Sequence, residues 1–178
     1  MTAVQIIRPR DDLSNVLGAS IIELLHRVWP PASKAEPSDV EATLEGWRMQ
    51  ESAHFVVADE NRVFAHAMMF GREVFTSCGP LRVGALAAVC VHPDFRGRGL
   101  GADVVRAAFD FLPELSVEAS LFQTGVPQFY EKLGSRVVAN RFFSGANPEN
   151  PFWDACQMIY PASFDWPDGP IDLNGAGY

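Results

Sequence analysis

The chain has 178 residues, which is enough for one domain with a substantial apolar core. Apolar residues make up 48% of the chain, so the composition excludes an intrinsically disordered protein. The formal net charge of −8 argues against nucleic acid as a partner and against an anionic membrane surface. It is compatible with a cationic small-molecule ligand.

Three cysteines, Cys78, Cys90 and Cys156, are scattered along the chain. Their odd number and spacing predict reduced thiols and a cytoplasmic location rather than a disulfide framework. The N-terminus has no basic head followed by a long apolar stretch, so we expect no signal peptide. No apolar run approaches the length of a membrane span, and no Cys/His spacing indicates a zinc site.

Apolar periodicity in the first half predicts a mixture of strands and helices. Helices are marked by apolar residues at helical spacing behind a Ser or Asp cap, and strands by apolar runs between turn residues. The predicted elements are a strand at Val4–Arg8, a helix from Ser14 to about Val28, a helix from Ser38 or Asp39 to about Met49, and strands at His54–Ala58, Val63–Phe70 and Glu73–Thr76, with a bulge or break at Gly71–Arg72.

Leu81–Val91 is a nearly continuous apolar run, which is typical of a central strand covered on both faces. Gly84 within it predicts a bulge or a close approach. The later elements are a helix at Leu100–Leu112, a strand at Val117–Phe122, a loop at Gln123–Gly125, a short helix at Val126–Lys132, and strands at Arg136–Asn140 and Cys156–Tyr160. We expect residues 1–160 to form a single domain, with residues 161–178 as an irregular tail packed on it.

The stretch from Val89 to Ala102 is the most informative, because a strand, a Gly/Arg loop and a helix follow one another there. Glycines let the backbone approach a ligand closely, and successive amides in such a turn form an anion-binding nest. The helix start adds unpaired N–H groups and a partial positive charge. We therefore predict that a pyrophosphate binds at Arg96, Gly97, Arg98, Gly99, Leu100, Gly101 and Ala102.

The glycine spacing matches neither the Gly-x-Gly-x-x-Gly dinucleotide fingerprint nor the Gly-x-x-x-x-Gly-Lys-Ser/Thr nucleotide loop. It resembles motif A of the GNAT superfamily of N-acetyltransferases, in which Arg/Gln-x-x-Gly-x-Gly/Ala follows a Val-x-Pro strand end. The segment Gln128–Gly134 resembles the Tyr-x-x-x-Gly segment that this family places downstream. The resemblance implies an α/β fold (α+β in some schemes) with a mixed, mostly antiparallel central sheet and helices on both faces.

The resemblance also implies the chemistry, which is direct attack of a primary amine on acetyl-CoA in a ternary complex. In the family the loop holds the pyrophosphate, and a backbone N–H near the strand end binds the oxyanion; the matching residues are Val89, Cys90 and Val91, with Cys90 or Val91 as the donor. Tyr130 matches the family's general acid for the leaving thiolate. Gln123 stands about where the family often uses an Asn to contact the coenzyme.

The general base is left open by the sequence. Many family members carry a Glu several residues before the strand end, but Gly84–Ala88 contains no carboxylate. Glu73 and His66, a water chain, and an amine that arrives neutral are the alternatives. We expect Cys90 to be a small buried residue rather than an acyl-carrying nucleophile, and His92 to be a turn residue.

The acceptor is expected to be a cationic primary amine. Trp29 follows the first helix and Trp47 lies on the second; in the family these two helices and their linker form much of the acceptor site. Core packing is the expected role of both tryptophans, and an acceptor wall is the alternative. Asp165–Gly175 resembles the end of the rhizobial nodulation N-acyltransferases, so a longer acyl donor stays an alternative. A non-catalytic CoA-binding sensor is another, and the sequence leaves open whether the chain forms a homodimer.

Overall fold

The computed structural model describes residues 3–8, 13–30, 40–50, 52–60 and 62–178. They form two compact units. The first unit comprises Met1–Phe70 and Ala87–Asp110, and the second comprises Gly71–Leu86 and Phe111–Tyr178. The helix caps expected at Ser38 and Asp39 lie outside the described residues.

The described residues of the first unit form helices and strands from the first part of the chain. Its strands and helices are β1 (Gln5–Ile7), α1 (Asn15–Val28), α2 (Val40–Met49), β2 (Ala53–Asp59), the first part of β3 (Arg62–Thr76), the last part of β4 (Gly79–Val91) and α3 (Leu100–Asp110). β1 pairs antiparallel with β2, and β2 pairs antiparallel with β3.

Helix α1 illustrates why these residues fold locally as they do. Ser14 caps it as predicted, because its hydroxyl accepts a hydrogen bond from the Leu17 amide at 3.2 Å. Residues three and four positions apart, such as Ile21 and Leu24, then fall on one buried face. That face packs with Leu44 of α2 and with the buried side chains of β2 in one apolar cluster.

The second unit is built around strands from the later part of the chain. They are the remaining parts of β3 and β4, then β5 (Ser120–Thr124), α4 (Pro127–Glu131), β6 (Arg136–Val138), β7 (Phe142–Phe143), β8 (Cys156–Tyr160) and β9 (Ile171–Asp172). β5 is parallel to β4, β8 pairs antiparallel with both β5 and β6, and β9 pairs antiparallel with β3 and parallel with β7. The mixed, mostly antiparallel sheet with helices confirms the predicted fold class.

Residues 161–178 contribute directly to the core of the second unit. Trp166, Ile171 and Leu173 are buried in one apolar cluster with side chains of β3, β4 and β5. Asn140 holds the start of this segment, since its carboxamide accepts from Trp166 Nε1 at 2.9 Å and donates to the carbonyls of Pro167 at 2.9 Å and Gly169 at 2.8 Å.

Several predicted element bounds are wrong. β3 runs unbroken through Gly71, where the absent Cβ makes room for the Arg82 guanidinium, 3.2 Å from an ideal Cβ position. β5 starts at Ser120, so Gln123 and Thr124 lie in a strand rather than a loop. Their pairing with β8 supplies the hydrogen bonds that local composition does not reveal. The two-residue strands β7 and β9 were not predicted.

Replacing Asn140 with Ala is expected to lower the free energy of unfolding by about 2 kcal/mol, because two partly buried hydrogen bonds are lost at about 1 kcal/mol each, together with one exposed hydrogen bond of smaller effect. Urea denaturation measures this loss. The matched control is Asn147→Ala, which removes one exposed hydrogen bond from the Glu149 amide and should cost less than about 1 kcal/mol. Equal losses in the two variants would contradict the anchoring role of Asn140.

Candidate functional site

The loop that follows β4 is held in place by His92. Its amide donates to the Phe64 carbonyl at 2.8 Å, and its Nδ1 accepts from the Asp94 amide at 3.3 Å. The imidazole therefore caps a 3₁₀ turn at Pro93–Phe95 and is only 4% exposed. The turn role expected for His92 is confirmed.

Gly97 and Gly99 give the next part of the loop its shape. Their φ angles are +74° and +85°, a region that residues with a Cβ rarely adopt. Both residues are exposed, and no atom lies within 4 Å of a Cβ added at either position. Helix α3 begins directly after them at Leu100, with Gly101 and Ala102 in its first turn. Open space beside exposed backbone at a helix start fits an anion such as a phosphate.

Two exposed arginines, Arg96 and Arg98, alternate with the two glycines. Arg96 Nε donates to the Val91 carbonyl at 3.3 Å, and an Arg98 terminal nitrogen donates to the Asp94 carbonyl at 3.4 Å. The Arg98 guanidinium also lies over the Phe95 ring, 4.9 Å from its centre. A guanidinium has five N–H donors, so these internal contacts orient the two arginines and leave other N–H groups available to a ligand.

Cys90 lies at the end of β4 but is buried, with only 5% of its surface exposed. Burial raises the pKa of its thiol to about 12, and the nearby Arg96 opposes this shift only in part. The thiol is therefore protonated at neutral pH and unsuited to nucleophilic attack. Its neighbours Val89 and Val91 are partly exposed and offer backbone rather than side-chain chemistry.

Ala88 has an irregular backbone that forms a kink in β4, whereas the sequence predicts a bulge or a close approach at Gly84. The φ of Ala88 is +51°, a left-handed conformation that costs about 1–2 kcal/mol for a residue with a Cβ. Gly84 instead lies in regular register with Ser120. Around the kink, Ala87, Ala88 and Val89 are partly exposed, although the preceding residues 83–86 are buried. The strand therefore opens just before the loop.

His66, a candidate base, is fully buried in a pair with His54. His66 Nδ1 lies 2.8 Å from the Ala88 carbonyl oxygen, and His66 Nε2 lies 2.9 Å from His54 Nδ1. Burial lowers the pKa of His66 to about 4 and that of His54 to about 2, where the adjacent His66 contributes further. Both rings are neutral at physiological pH, and neither nitrogen of His66 is available to a substrate.

Glu73, the other candidate base, lies in the second unit and is exposed on β3. Its role as a base stays a prediction. Among the residues that the structure describes, no three His, Cys, Asp or Glu side chains are grouped to hold a metal ion. No helix in the described ranges combines the length and hydropathy needed to cross a bilayer.

Tyr130 lies on α4 in the second unit, with 6% of its surface exposed. Its ring packs on those of Phe122 and Phe129, at centre-to-centre distances of 4.7 Å and 4.8 Å. Burial, and secondly the negative charge of Asp154, raise the pKa of the Tyr130 phenol above its usual range. The phenol therefore keeps its proton at neutral pH and can act as a hydrogen-bond donor.

Gln123 uses its carboxamide within the chain. Its Nε2 donates to the Tyr178 carbonyl at 2.7 Å, and its Oε1 accepts from the amides of Trp153 at 2.9 Å and Asp154 at 2.8 Å. A coenzyme contact by Gln123 stays a prediction; the Nε2 amino group has a second N–H that none of these bonds uses, and it can donate to a coenzyme oxygen. Local sequence patterns do not reveal these partners, because they lie 30 to 55 residues away along the chain.

The two tryptophans of the N-terminal helices differ in exposure. Trp47 packs against the apolar core, and its ring centre lies 4.5 Å from that of His54, which confirms a core role. Trp29 is 52% exposed at the end of α1, so the expectation of core packing is wrong for this residue. Trp29 is the residue directly after the last turn of α1, so its side chain does not lie on the buried face of the helix.

A comparison with protein families matches residues 19–134, more than half of the chain, to the model described as "Acetyltransferase (GNAT) family". Among curated proteins, no sequence matches this chain. The structure is similar to that of Escherichia coli YhbS, a GNAT family N-acetyltransferase in complex with CoA, with a TM-score of 0.65 and 16% identity. That match covers 98% of this chain and 91% of the other.

Two further solved structures have a TM-score of 0.60 against this chain. Glucosamine-6-phosphate N-acetyltransferase from Arabidopsis thaliana shares 19% identity, over 85% of this chain and 99% of the other. A GCN5-related N-acetyltransferase from Kribbella flavida shares 18% identity over 75% of this chain. The chain spans about a third of the length of the Kribbella protein (33%).

Acidification is expected to destabilise the fold through the two buried histidines. An unfolded histidine has a pKa of about 6.5, whereas burial lowers the folded pKa to about 2 for His54 and about 4 for His66. As the pH falls from about 6.5 to about 4.5, the two histidines become protonated in the unfolded chain but remain neutral in the folded chain. Stability therefore falls with pH, by up to about 1.4 kcal/mol per pH unit for each histidine. Urea denaturation across this range measures the slope.

The double variant His54→Gln, His66→Asn should show a shallower slope than the parent chain. His26→Gln, which replaces an exposed histidine on α1, leaves the buried pair intact and is the matched control. If the double variant and the parent have the same slope, the buried pair is not the source of the acid sensitivity.

Proposed function

Because the chain belongs to the GNAT acetyltransferase family, we propose that it transfers an acetyl group from acetyl-CoA to a primary amine by direct attack in a ternary complex. The observation that carries the proposal is the exposed Gly97–Gly99 loop, with positive φ and open space beside both glycines at the start of α3. The name of the Arabidopsis neighbour, which acetylates a sugar amine, supports an amine acceptor.

The loop would hold the coenzyme through its pyrophosphate. Arg96 and Arg98 supply full positive charges, and the backbone amides from Gly97 to Ala102 supply donors at the positive end of the α3 dipole. On a chain with a net charge of −8, this local cluster of donors is what makes an anionic ligand favourable. The remaining acidic surface favours a cationic acceptor.

Acetyl-CoA supplies the activated thioester. In the transfer, a nitrogen–carbon bond forms, the carbon–sulfur bond breaks, and negative charge develops first on the carbonyl oxygen and then on sulfur. The backbone amides between Val89 and Val91 are the donors we assign to the oxygen, beside the kink at Ala88. A fixed amide donor of this kind contributes about 3 kcal/mol to the transition state.

Tyr130 is the residue we assign to the leaving thiolate. Its raised pKa makes full proton transfer to a thiolate of pKa about 8.5 unfavourable. A hydrogen bond that strengthens as charge builds on sulfur is therefore its main contribution. The nitrogen is cationic after the attack, so it releases a second proton to solvent as the amide forms, and the thiolate takes up one proton from solvent.

The amine must lose a proton before it attacks, which costs roughly 4–5 kcal/mol at neutral pH for an alkylammonium in water. Since Gly84–Ala88 contains no carboxylate and both nitrogens of His66 are engaged, neither supplies a direct base. Loss of the proton to water or to Glu73, or arrival of a neutral amine, remain the alternatives for this step.

Replacing Gly99 with Ala is expected to weaken CoA binding at least tenfold, because the methyl group occupies the space beside the loop and disfavours a φ of +85°. Isothermal titration calorimetry with CoA measures the change. The matched control is Gly145→Ala, a positive-φ glycine (+55°) that also has no atom within 4 Å of an added Cβ. The control should leave the Kd for CoA within twofold; equal weakening in both variants would point to a general folding defect.

Replacing Tyr130 with Phe is expected to lower kcat at least tenfold with a Kd for CoA within twofold. Release of free thiol from acetyl-CoA and longer acyl-CoAs, screened over a panel of primary amines, measures turnover. Tyr160→Phe, on β8, is the control tyrosine and should keep full activity. Unchanged turnover in Tyr130→Phe would remove the assignment of Tyr130.

The same screen separates the alternative functions. Faster thiol release from a longer acyl-CoA than from acetyl-CoA would make the protein an N-acyltransferase. CoA binding without thiol release for any amine would favour a sensor module and contradict the proposed acetyl transfer.

A further inference from the structure

An unbroken series of buried polar contacts links the end of α2 to the kink in β4. Ser52 Oγ lies 3.2 Å from the Trp47 carbonyl oxygen and 3.0 Å from His54 Nε2. His54 Nδ1 lies 2.9 Å from His66 Nε2, and His66 Nδ1 lies 2.8 Å from the Ala88 carbonyl oxygen. Ser52 is 3% exposed and both histidines are 0% exposed, so water does not compete for these groups. We call Ser52, His54 and His66 the polar chain.

The register of β2 and β3 explains why the two histidines meet. His54 lies opposite Met68, and His66 lies opposite Val56, so the histidines are diagonal neighbours on one face of the antiparallel pair. Side chains of this length reach a diagonal neighbour. Because each position is fixed by pairing rather than by a flexible loop, the His54–His66 contact is preorganised.

Only one arrangement of protons satisfies the contacts nearest Ala88. The Ala88 carbonyl can only accept, so His66 Nδ1 must donate, and Nε2 of the neutral ring must accept. His54 Nδ1 therefore donates to His66, His54 Nε2 accepts, and the Ser52 hydroxyl donates to His54. Its single proton is then unavailable to the Trp47 carbonyl, which is the longest contact of the series. Every bond in the polar chain points toward Ala88.

The polar chain cannot deliver a proton to a substrate, because its last donor, the His66 Nδ1–H group, is bonded to the Ala88 carbonyl and all three residues are buried. What it can do is fix the peptide unit between Ala88 and Val89. In a trans peptide the C=O and N–H groups point in opposite directions, so a bond that fixes the Ala88 carbonyl also aims the Val89 amide. Successive hydrogen bonds polarise one another, which makes the Val89 N–H a stronger donor.

We propose that His66, supported by His54 and Ser52, is a positioning residue for acyl transfer: it holds the left-handed Ala88 and aims the Val89 N–H at the oxygen that becomes negative in the reaction. The inference rests on the proposed function and adds to it a buried side chain that has no contact with either substrate. The sequence analysis placed the donor at Cys90 or Val91; the polar chain assigns it to Val89.

The test compares two amide substitutions at position 66. Asn places its side-chain N–H₂ near the position of the histidine Nδ1 and can still donate to Ala88, whereas Gln places its amide near the position of Nε2 and cannot replace that bond. We expect His66→Gln to lower kcat for thiol release from acetyl-CoA at least tenfold, with the Kd for CoA within twofold. His66→Asn should stay within threefold of the parent kcat.

A merely structural histidine would not separate the two variants in this way. Equal kcat in His66→Gln and His66→Asn at equal melting temperature, or full activity in His66→Gln, would overturn the proposal. If His66→Gln does not fold, Ser52→Ala takes its place, since it removes the hydroxyl that fixes the His54 tautomer. It should lower kcat at least threefold without weakening CoA binding, and an unchanged kcat would overturn the proposal.

Nuclear magnetic resonance tests the same geometry without turnover. The ¹⁵N spectrum of the full chain should show His66 protonated at Nδ1 and not at Nε2, and the Val89 amide proton should shift upfield in His66→Gln but not in His66→Asn. His66 protonated at Nε2 instead would overturn the inference. Normal spectra together with no thiol release from any amine would contradict the proposed function but leave the geometry intact.

Discussion

The buried hydrogen bond from His66 to the Ala88 carbonyl is the interaction on which the end of β4 depends. A left-handed residue in a strand is unfavourable unless its surroundings hold it, and here they do so through a partner that is inaccessible to water. The bond is made by a neutral ring, so the strand gains a strong donor without the cost of a buried charge. From the partly exposed residues beside the kink, the chain runs through residues 90–92 and the 3₁₀ turn at Pro93–Phe95 to the glycine loop.

Around the end of β4, the buried titratable groups are neutral and the charged groups are exposed. Groups that are buried, namely Cys90, His54 and His66, all have pKa values displaced toward their neutral forms, and burial is the main cause each time. The full charges of Arg96 and Arg98 stand at the surface of the loop. The neutral histidines therefore provide fixed hydrogen bonds in the core, whereas the two arginines remain solvated and accessible to a phosphate group.

The Gly97–Gly99 loop and the kink at Ala88 are built from backbone rather than from reactive side chains. This explains why an apolar sequence, Val89-Cys90-Val91, is compatible with the proposed chemistry. Backbone amides provide fixed dipoles whose direction is set by neighbouring bonds, and they need no particular side chain. Side-chain identity matters at His66, whose Nδ1 bonds to the Ala88 carbonyl and so fixes the orientation of the Ala88–Val89 peptide.

Much of this protein could be predicted from the sequence because the relevant forces are local. Helix α1 begins after Ser14 because a hydroxyl cap and apolar residues at helical spacing act within four residues of each other. Contiguous residues likewise determine the strand–loop–helix order around Gly97 and Gly99. The family resemblance also rests on short contiguous motifs. These local patterns predicted the fold class and the family, both of which are confirmed.

Only the tertiary structure decided which distant residues meet. The sequence predicts a bulge or a close approach at Gly84, yet the left-handed residue of β4 is Ala88, where a histidine 22 residues away supplies the compensating bond. The same holds for Gln123, whose partners come from residues 153–178, and for the two-residue strand β9 that is paired by β3 and β7. The left-handed backbone at Ala88 costs about 1–2 kcal/mol, and a buried hydrogen bond from a distant residue, at roughly 0.5–1.5 kcal/mol, offsets much of that cost, so local backbone preference alone does not locate the kink.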